Sequence, residues 1–427
     1  MKIFTLVTAG FATFAAPLAA QTDIQFWHAM GGRLGEVVEE LAAKYNESQD
    51  TYNLVPTYKG GYEDTMTAGI AAFRAKQQPH IIQIFDAGAA TIINAKGATV
   101  PVADLMSGFD SGDYIEGVRN FYADSEGKMI GMPFNSSTPL LYYNKEILAK
   151  AGITAPPATW EEFEAMAPKL KEAGYQALAQ SHSPWIFSEN FHSRHNLQLA
   201  TGNNGYDSTD VKILYNNPEM KMHWGKVKEW LDAGYYGFYG RGWGDNQDAF
   251  VQQKAAMWLG SSGSFGGLAN SAEFDFGAAE LPYWKSITEE PYGTFIGGAA
   301  LFAMAGKPDE ENAGVADFME FLTSAEMQYF WHKETGYVPI THAAYELAKS
   351  DGYYESTPDA EVGITQLSQR GGEWTKGYRL GFYVQIREAM YKQYDNIFSG
   401  ASSVEDAFEA MEEESNALLD RFNASTN

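Results

Sequence analysis

Turns rich in glycine and serine follow strand-like runs at three places in this chain, and together they suit the binding of an anion. These turns are FNSSTP (134–139), LGSSGS (259–264) and FIGGAA (295–300). Small residues let backbone N–H groups approach a ligand closely, and serine hydroxyls add further donors and acceptors. N–H groups gathered at turns favour a negatively charged ligand. Such turns are also ordinary structural features, so the pattern alone leaves a structural role open.

Arg387 lies among apolar residues in GFYVQIREAM, where its guanidinium requires a partner. A bidentate fork on a phosphate would supply one, and each charge-assisted hydrogen bond would contribute about 1.5–3 kcal/mol in a dehydrated cleft. An ion pair with one of the chain's 55 acidic residues would also supply one. Composition alone favours that second alternative, so the sequence leaves both open.

Aromatic residues near predicted turns offer a surface for a neutral ligand. Trp27, Tyr62, Trp185 and Tyr337 are placed so, and their rings can stack on the CH faces of a polyol. Most tyrosines and tryptophans of a globular protein pack in its core or at domain edges. Each of these rings is therefore also a candidate core residue.

Sequence motifs for hydrolysis and metal binding are absent. The chain has no GxxxxGK[ST], no GxSxG, no HExxH and no histidine pair at ligand spacing, and it has no cysteine. Nucleotide hydrolysis, the hydrolase elbow and a zinc site therefore have no support. Acidic pairs are common, but nothing singles out a pair for glycoside hydrolysis. We expect no catalysis, no metal and no cofactor.

The first twenty residues have the layout of a secretory signal. MKIFTLVTAGFATFAAPLAA has one cation, Lys2, an apolar run from Ile3 to Phe14, then Pro17 and a small-residue end. We expect cleavage after Ala20 and a periplasmic mature protein. An uncleaved anchor is the alternative, because the apolar stretch is nearly long enough to span a bilayer. No later stretch resembles a membrane span, so we expect the mature protein to be soluble.

Charge and length narrow the class of protein further. The formal net charge is −25, and so acidic a surface repels phosphate backbones, which argues against nucleic-acid binding. A captured anion must then be held by local donors, because the global field opposes its approach. Without cysteine there are no disulfides, and an oxidising compartment is harmless. About 400 mature residues exceed what one hydrophobic core usually supports, so we expect two domains.

Alternating strands and helices occupy the first part of the mature chain. IQFW, NLVPTY and HIIQIF read as strands, the last unbroken in apolar character around one glutamine. Between them, GGRLGEVVEELAAKYNES presents one apolar helix face, and TMTAGIAAFRAK is also helical. This β-α-β-α-β order predicts a parallel, doubly wound sheet with right-handed crossovers. In such sheets ligands bind beyond the carboxyl ends of the strands.

The same pattern restarts near Phe134, which predicts a second lobe. Strands are predicted at LLYYN, AAMWLG and GAALFAMAG, and helices at KEILAKAG, EEFEAMAPKLKEAG, DEENAGVADFMEFLTSAEMQYF and SVEDAFEAMEEESNALLDRF. Because strands return late, the chain is expected to cross between the lobes more than once. We expect lobe 1 to comprise residues 21–134 plus about 290–323, and lobe 2 about 135–289 plus 324–427.

Several motifs in order along the chain resemble one family, the periplasmic glycerol-3-phosphate-binding proteins of Ugp-type ABC importers, within the maltose-binding-protein-like class. The similarity extends from Trp27 almost to the C-terminus. It rests on FWHAM, PTYKGGYED, AGIAAFR, PFNSSTPLLYYNKE, GSSGS, IGGAALF, KETGYVPITHAAY and TKGYRLGF followed by QIR. The resemblance implies an α/β, two-lobed periplasmic-binding-protein fold with the ligand in the hinge cleft. It also implies a monomeric receptor that delivers its ligand to the membrane subunits of an importer.

The resemblance also implies which residues contact the ligand. Serine, tyrosine, arginine and backbone N–H donors grip the phosphate in this family, while an acid and aromatic rings hold the glycerol hydroxyls. The matching positions in this sequence are Tyr62, Asp86, Ser137, Ser261, Gly298, Tyr337 and Arg387, with His182 and Trp185 as possible additional contacts.

Two of these positions depart from the family pattern. Asp86 stands where the family has glutamate, one methylene longer, so its hydrogen bond to a ligand hydroxyl is direct, lost or bridged by water. His182 stands where the family has the first of two tryptophans three residues apart. Loss of a stacking ring weakens the polyol platform by about 1–3 kcal/mol, although an imidazole can donate a hydrogen bond instead.

Three alternatives for the ligand and the function remain open at this stage. A glycerophosphodiester such as glycerophosphocholine is one, because some family members accept it. A maltose- or trehalose-like sugar is another, within the same class of receptors. A secreted carbohydrate-active enzyme is the third, given the many aromatic and acidic residues.

Overall fold

The structure is a computed structural model, and it describes residues 21–106, 108–124 and 126–426. The predicted secretory signal, residues 1–20, lies outside the described residues. Among those described, no helix is long and apolar enough to cross a membrane.

The fold is an alternation of strands and helices, as the sequence pattern predicts. The strands are β1 (Thr22–His28), β2 (Tyr52–Tyr58), β3 (Ile81–Phe85), β4 (Thr99–Val100), β5 (Met132–Pro133), β6 (Pro139–Asn144), β7 (Gln176–Gln180), β8 (Tyr236–Gly237), β9 (Ala255–Ser261), β10 (Phe276–Glu280) and β11 (Ala299–Met304). The helices are α1 (Gly32–Ser48), α2 (Tyr62–Arg74), α3 (Asp86–Ile93), α4 (Val102–Leu105), α5 (Glu116–Arg119), α6 (Lys145–Lys150), α7 (Trp160–Glu172), α8 (Asn190–Arg194), α9 (Thr201–Gly205), α10 (Pro218–Asp232), α11 (Trp243–Val251), α12 (Phe265–Ser271), α13 (Asp309–Thr323), α14 (Ala325–Thr335), α15 (His342–Ser350), α16 (Tyr353–Ser356), α17 (Val362–Leu367), α18 (Tyr383–Ser399) and α19 (Val404–Thr426). Short 3-10 turns occur at 111–113, 120–122, 262–264 and 358–360, and a π-helical turn at Pro184–Glu189.

The first sheet has the order β2-β1-β3-β11-β4, with β5 also paired to β11. Strand β1 pairs in parallel with both β2 and β3, as the β-α-β-α-β pattern predicts. Strand β11 is antiparallel to β3, with Ala299 opposite Phe85. The chain reaches β11 from the second sheet, so β11 begins beside the carboxyl end of β3 and must pair with it in the opposite direction.

The second sheet has the order β10-β6-β9-β7-β8 and mixes parallel and antiparallel pairs. Strand β7 is parallel to β8 and β9, whereas β6 is antiparallel to β9 and β10. The predicted strands LLYYN and AAMWLG correspond to β6 and β9. The sequence analysis missed β7, β8 and β10, because these strands are short and QALAQ and FGAAE are rich in alanine and glycine, which have low strand propensity.

The segment predicted as one helix over 309–330 forms two helices, so that prediction was wrong. Ser324 lies between α13 and α14 with an extended backbone (φ −59°, ψ 146°), and its hydroxyl accepts a hydrogen bond from the Met327 N–H. Serine favours this capping position over the helix interior. The break turns α14 away from α13, and Gly336, with φ 87°, ends α14 just before Tyr337.

Two antiparallel segments, 134–138 and 294–298, connect the sheets. Ser137 and Gly297 exchange both backbone hydrogen bonds, at 3.1 and 2.9 Å. A third segment joins them where the Val338 N–H donates to the Ser136 carbonyl at 2.9 Å. The ends of the central strands of both sheets therefore face the same narrow connecting region.

Candidate functional site

A cleft of about 740 Å³ lies at this connecting region. The residues that the family resemblance assigned to a ligand all line it, although they come from widely separated parts of the chain, whereas the aromatic candidate Trp27 does not line it. They are Tyr62, Asp86, Ser137, His182, Trp185, Ser261, Gly298, Tyr337 and Arg387. No group of three His, Asp or Glu side chains within the described residues is arranged to hold a metal ion.

Tyr62 and Tyr337 present hydroxyl groups from one wall of the cleft. Tyr62 begins α2, and its ring stacks on Phe85 with centroids 5.1 Å apart and planes within 2°. Tyr337 stacks on Trp331 at 5.9 Å. Burial raises the pKa of both phenols, so each keeps its proton at neutral pH and can donate a hydrogen bond.

Serine and glycine at the connecting segments form the floor of the cleft. The backbone of Ser137 is engaged with Gly297, which leaves its hydroxyl for the cleft. The Ser261 hydroxyl oxygen accepts from the Gly263 N–H at 3.1 Å, so its own O–H remains a donor. Gly298 has φ +93°, and a Cβ there would lie 1.9 Å from the Asn135 carbonyl oxygen, so only glycine fits.

Arg387 is at the centre of an ion cluster that spans the cleft. Its Nε and Nη2 donate to Glu189 at 2.8 and 2.7 Å, and its Nη1 and Nη2 donate to Asp86 at 2.9 and 3.1 Å. Nη2 also donates to the Tyr378 hydroxyl at 3.0 Å. A guanidinium has five N–H donors. One N–H of Nη1 is therefore left without a partner among the described residues, at the cleft surface.

Arg387 thus forms ion pairs with acidic side chains, which is the alternative that composition alone favoured in the sequence analysis. Asp86 accepts from Arg387 through both oxygens, and its Oδ1 also accepts from the Ala87 N–H at 2.6 Å. The Asp86 carboxylate therefore already accepts hydrogen bonds from protein donors, and it is not reserved for a ligand hydroxyl. With both acids ionised, the cluster has a formal charge of −1, so an anion here depends on the surrounding neutral donors as well.

Glu189 is a site residue that the sequence analysis missed. It is 0% exposed and ends the π-helical turn Pro184–Glu189, within the same SHSPWIFSENF segment that supplies His182 and Trp185. Burial raises the pKa of its carboxyl, and Arg387 opposes that shift. The available sequence feature was that Glu189 is the single acid of this segment, and π-helical turns are frequent at functional sites.

His182 and Trp185 form a polar and aromatic edge of the cleft. Burial and the nearby Arg387 lower the pKa of His182 to about 4, so its ring is neutral at neutral pH and has one donor. Trp185 is 5% exposed, and its ring meets the imidazole edge-on at 6.1 Å. The buried Trp185 Nε1–H has no partner among the described residues. His182 therefore offers a hydrogen-bond donor to the cleft, and Trp185 offers its aromatic ring.

Comparison with known protein families places this architecture among bacterial transport receptors. Residues 40–361 match the family model described as bacterial extracellular solute-binding protein. The sn-glycerol-3-phosphate-binding periplasmic protein UgpB of Escherichia coli O1:K1 / APEC is 38% identical over 416 residues, which is 95% of this chain and 94% of that protein. The UgpB of Rhizobium meliloti (strain 1021) is 38% identical over 428 aligned positions, covering 98% of this chain and 99% of that one.

Solved structures confirm the predicted two-lobed fold. UgpB from Mycobacterium tuberculosis in complex with glycerophosphocholine superposes with a TM-score of 0.79 at 22% identity, covering 94% of this chain and 99% of that one. Maltose-bound T. maritima MalE3 superposes with a TM-score of 0.78 at 18% identity, covering 93% and 100%. At these identities the likeness shows the fold alone.

Proposed function

Because this chain belongs to the family of bacterial extracellular solute-binding proteins, as the similarity of its motifs predicted, we propose that it is the periplasmic receptor of an ABC importer for glycerol-3-phosphate. One observation carries the choice of ligand: nine residues assigned by similarity to phosphate and polyol contacts surround a single cleft. The relatives that share 38% identity over nearly the whole chain are named as proteins that bind that compound.

The phosphate end of the ligand is proposed to bind among Ser137, Ser261, Tyr337 and Arg387. These residues offer hydroxyl donors and the free N–H of Nη1, and all face one cavity. A phosphate here competes with Asp86 for Arg387, because both are anions that fit the guanidinium fork. We propose that the ligand draws Arg387 from Asp86 and leaves Glu189 as the permanent partner.

The polyol end is proposed to bind beside Trp185 and His182, with Asp86 accepting from a hydroxyl once Arg387 turns to the phosphate. The neutral imidazole of His182 suits a hydroxyl oxygen, and the ring of Trp185 can stack on the CH groups of the polyol. The cleft volume of about 740 Å³ is in the range of pockets for larger small molecules. This leaves space for a diester substituent, so glycerophosphocholine is the second candidate.

The proposed receptor has two lobes that close on the ligand by a hinge motion. We propose lobe 1 as residues 21–134 with about 290–323, and lobe 2 as about 135–289 with 324–427. Closure about the connecting segments brings donors of both lobes together, and the importer recognises the closed form. The protein is proposed to act as a monomer without catalysis or cofactor.

Calorimetry with a ligand panel tests the proposal. Glycerol-3-phosphate, glycerophosphocholine, inorganic phosphate and maltose are titrated into the mature protein, and thermal unfolding is followed in parallel. A ligand at a hundredfold excess over its Kd should stabilise the protein by about 2.7 kcal/mol. Binding of maltose without binding of either phosphate ester would establish the sugar receptor instead.

Variants at Arg387 and an activity assay separate the remaining alternatives. Arg387→Lys keeps the charge but loses the bidentate fork, so it should weaken a phosphate ligand strongly and a neutral sugar little. Arg387→Ala should abolish phosphate binding. Turnover of oligosaccharides or glycerophosphodiesters by the purified protein would establish an enzyme and overturn the receptor.

A further inference from the structure

A chain of buried amide groups connects the first sheet to the hydroxyls of the cleft. We propose that Gln83 and Asn135 are positioning residues that orient the hydroxyl groups of Tyr62 and Tyr337, so that the O–H at the end of the chain donates a hydrogen bond toward the ligand. This inference rests on the proposed binding of a phosphate ester. It concerns selection among ligands by the direction of hydrogen bonds, rather than by charge alone.

The direction of the chain is fixed at its first member. The backbone N–H of Ala29 contacts the Gln83 side chain at 2.7 Å. A backbone N–H can only donate, so the contacting atom of Gln83 must be its carbonyl oxygen Oε1. The amide orientation of Gln83 therefore follows from chemistry, and its NH₂ group must point onward.

The orientation of the Gln83 amide fixes which group donates and which accepts at each following contact. The Nε2 of Gln83 donates to Oδ1 of Asn135 at 2.8 Å, which leaves the Asn135 NH₂ group to donate next. The Nδ2 of Asn135 donates to the Tyr62 hydroxyl oxygen at 2.7 Å. Tyr62 thus accepts from the protein, and its own O–H hydrogen must point away from Asn135.

Tyr337 lies at the end of the same chain. Burial raises the pKa of Tyr337, and hydrogen bonds from Asn135 and Tyr62 oppose that shift, so Tyr62 donates to Tyr337. Tyr62 and Tyr337 both line the cleft, so the last O–H of the chain faces the ligand. An ionised phosphate has only acceptor oxygens, and a cleft edge of oriented donors matches it without reorientation. A sugar hydroxyl both donates and accepts, so it gains less from this orientation.

The chain is held rigidly enough to act in this way. Gln83 and Asn135 are each 0% exposed, Gln83 in the centre of β3 and Asn135 in the connecting segment. Gln83 is the one polar residue that the sequence shows inside that buried strand. A buried amide in such a strand is costly unless all its groups are paired, and here both its oxygen and its nitrogen have partners.

A double-mutant cycle tests the inference by calorimetry with glycerol-3-phosphate. Asn135→Leu is measured alone and in a background in which Tyr62→Phe and Tyr337→Phe remove both hydroxyls. Alone, Asn135→Leu should weaken binding by about tenfold, because the hydroxyls lose their orientation. In the background without hydroxyls it should have no further effect, which a merely structural role of Asn135 would not produce.

Two further variants complete the design. Asn144→Leu is the matched control, since Asn144 is also 0% exposed but lies at the far end of β6 and caps α6; it should lower stability and leave affinity unchanged. Gln83→Met breaks the hydrogen-bond chain one bond further from the cleft, and it replaces Asn135→Leu if that variant does not fold. We expect it to weaken binding by about threefold. If Asn135→Leu weakens binding equally in both backgrounds, or weakens it in neither, the positioning role is wrong and the proposed function stands. Absence of binding by the unmodified protein overturns the proposed function with it.

Discussion

Arg387 and Glu189 form a buried bidentate ion pair, with Nε to Oε1 at 2.8 Å and Nη2 to Oε2 at 2.7 Å. Glu189 has no solvent exposure, and only 13% of the Arg387 side chain is accessible. The pair fixes the plane of the guanidinium. Its Nη1 edge is thereby directed to Asp86 at the start of α3.

Replacing Glu189 with glutamine should destabilise the protein by about 2–3 kcal/mol, because the bidentate ion pair becomes a single hydrogen bond from Arg387 to an amide oxygen, and the amide NH₂ group then faces a second N–H donor. Denaturation with urea measures this difference. Glu280→Gln is the matched control: its partner Arg194 is also buried but has three other acceptors, on Leu281, Tyr292 and Gln369. A larger loss for Glu280→Gln than for Glu189→Gln would contradict the importance of the Arg387 pair.

Replacing Asp86 with asparagine should favour a more open arrangement of the ligand-free protein. The Asp86 carboxylate connects the start of α3 to α18, whose Tyr394 packs on Trp224 of α10. Loss of the carboxylate charge and of one of the two hydrogen bonds from Arg387 should shift an open–closed equilibrium by about tenfold or more. Small-angle X-ray scattering should show a larger radius of gyration, and an unchanged radius would show that this contact does not restrain the lobes.

Gly298→Ala should destabilise the protein by about 3 kcal/mol or more and abolish binding. The added Cβ would lie 1.9 Å from the Asn135 oxygen, in addition to the strain of φ +93°. Gly97→Ala separates the two effects, because Gly97 has φ +73° but nothing within 4 Å of its Cβ position. That control should cost only about 1 kcal/mol. Similar thermal unfolding of the two variants would show that backbone strain alone matters at Gly298.

Stability should fall in acid because histidines are buried in the neutral form. The Nδ1–H of His195 donates to the Phe191 carbonyl at 2.7 Å, and its Nε2 accepts from the Trp284 N–H at 2.8 Å. Burial lowers its pKa to about 3. The unfolded chain, with a pKa of about 6.5, therefore takes up the proton first, and stability is lost as the pH falls below that value.

His195→Gln should remove about 2 kcal/mol of the stability difference between pH 7 and pH 5. Urea denaturation of both proteins at the two pH values measures this change, whatever the absolute cost of the substitution. Between pH 7 and 8 the two proteins should show the same pH dependence, since the histidine is neutral in both states. A pH 7 to 5 difference that is the same in both proteins would contradict a neutral, buried His195.

Local patterns were sufficient to predict much of the architecture. The apolar face of α1, with Val37, Val38 and Leu41, is buried as its spacing predicts, and β1, β2 and β3 form the predicted parallel order. Family motifs also identified residues that meet in the cleft. Such features depend on residue types and on their spacing along the chain, and both can be read from the sequence.

Other features depend on contacts between distant residues, which no local pattern encodes. The partner of Arg387 is one of 55 acidic residues, and only the packing of α18 against the turn at 184–189 selects Glu189. The antiparallel pairing of β11 with β3 likewise follows from where the chain enters the first sheet.

The sequence by itself thus determined the class of protein, the order of the first three strands and the helices between them, and the types of group available to a ligand. Tertiary structure decided how those groups are used: which donors of Arg387 are already occupied, and which way the hydroxyl of Tyr62 points. The physical reason is that hydrogen-bond direction and ion pairing are properties of a buried neighbourhood, and burial brings together residues as far apart as Asp86 and Arg387.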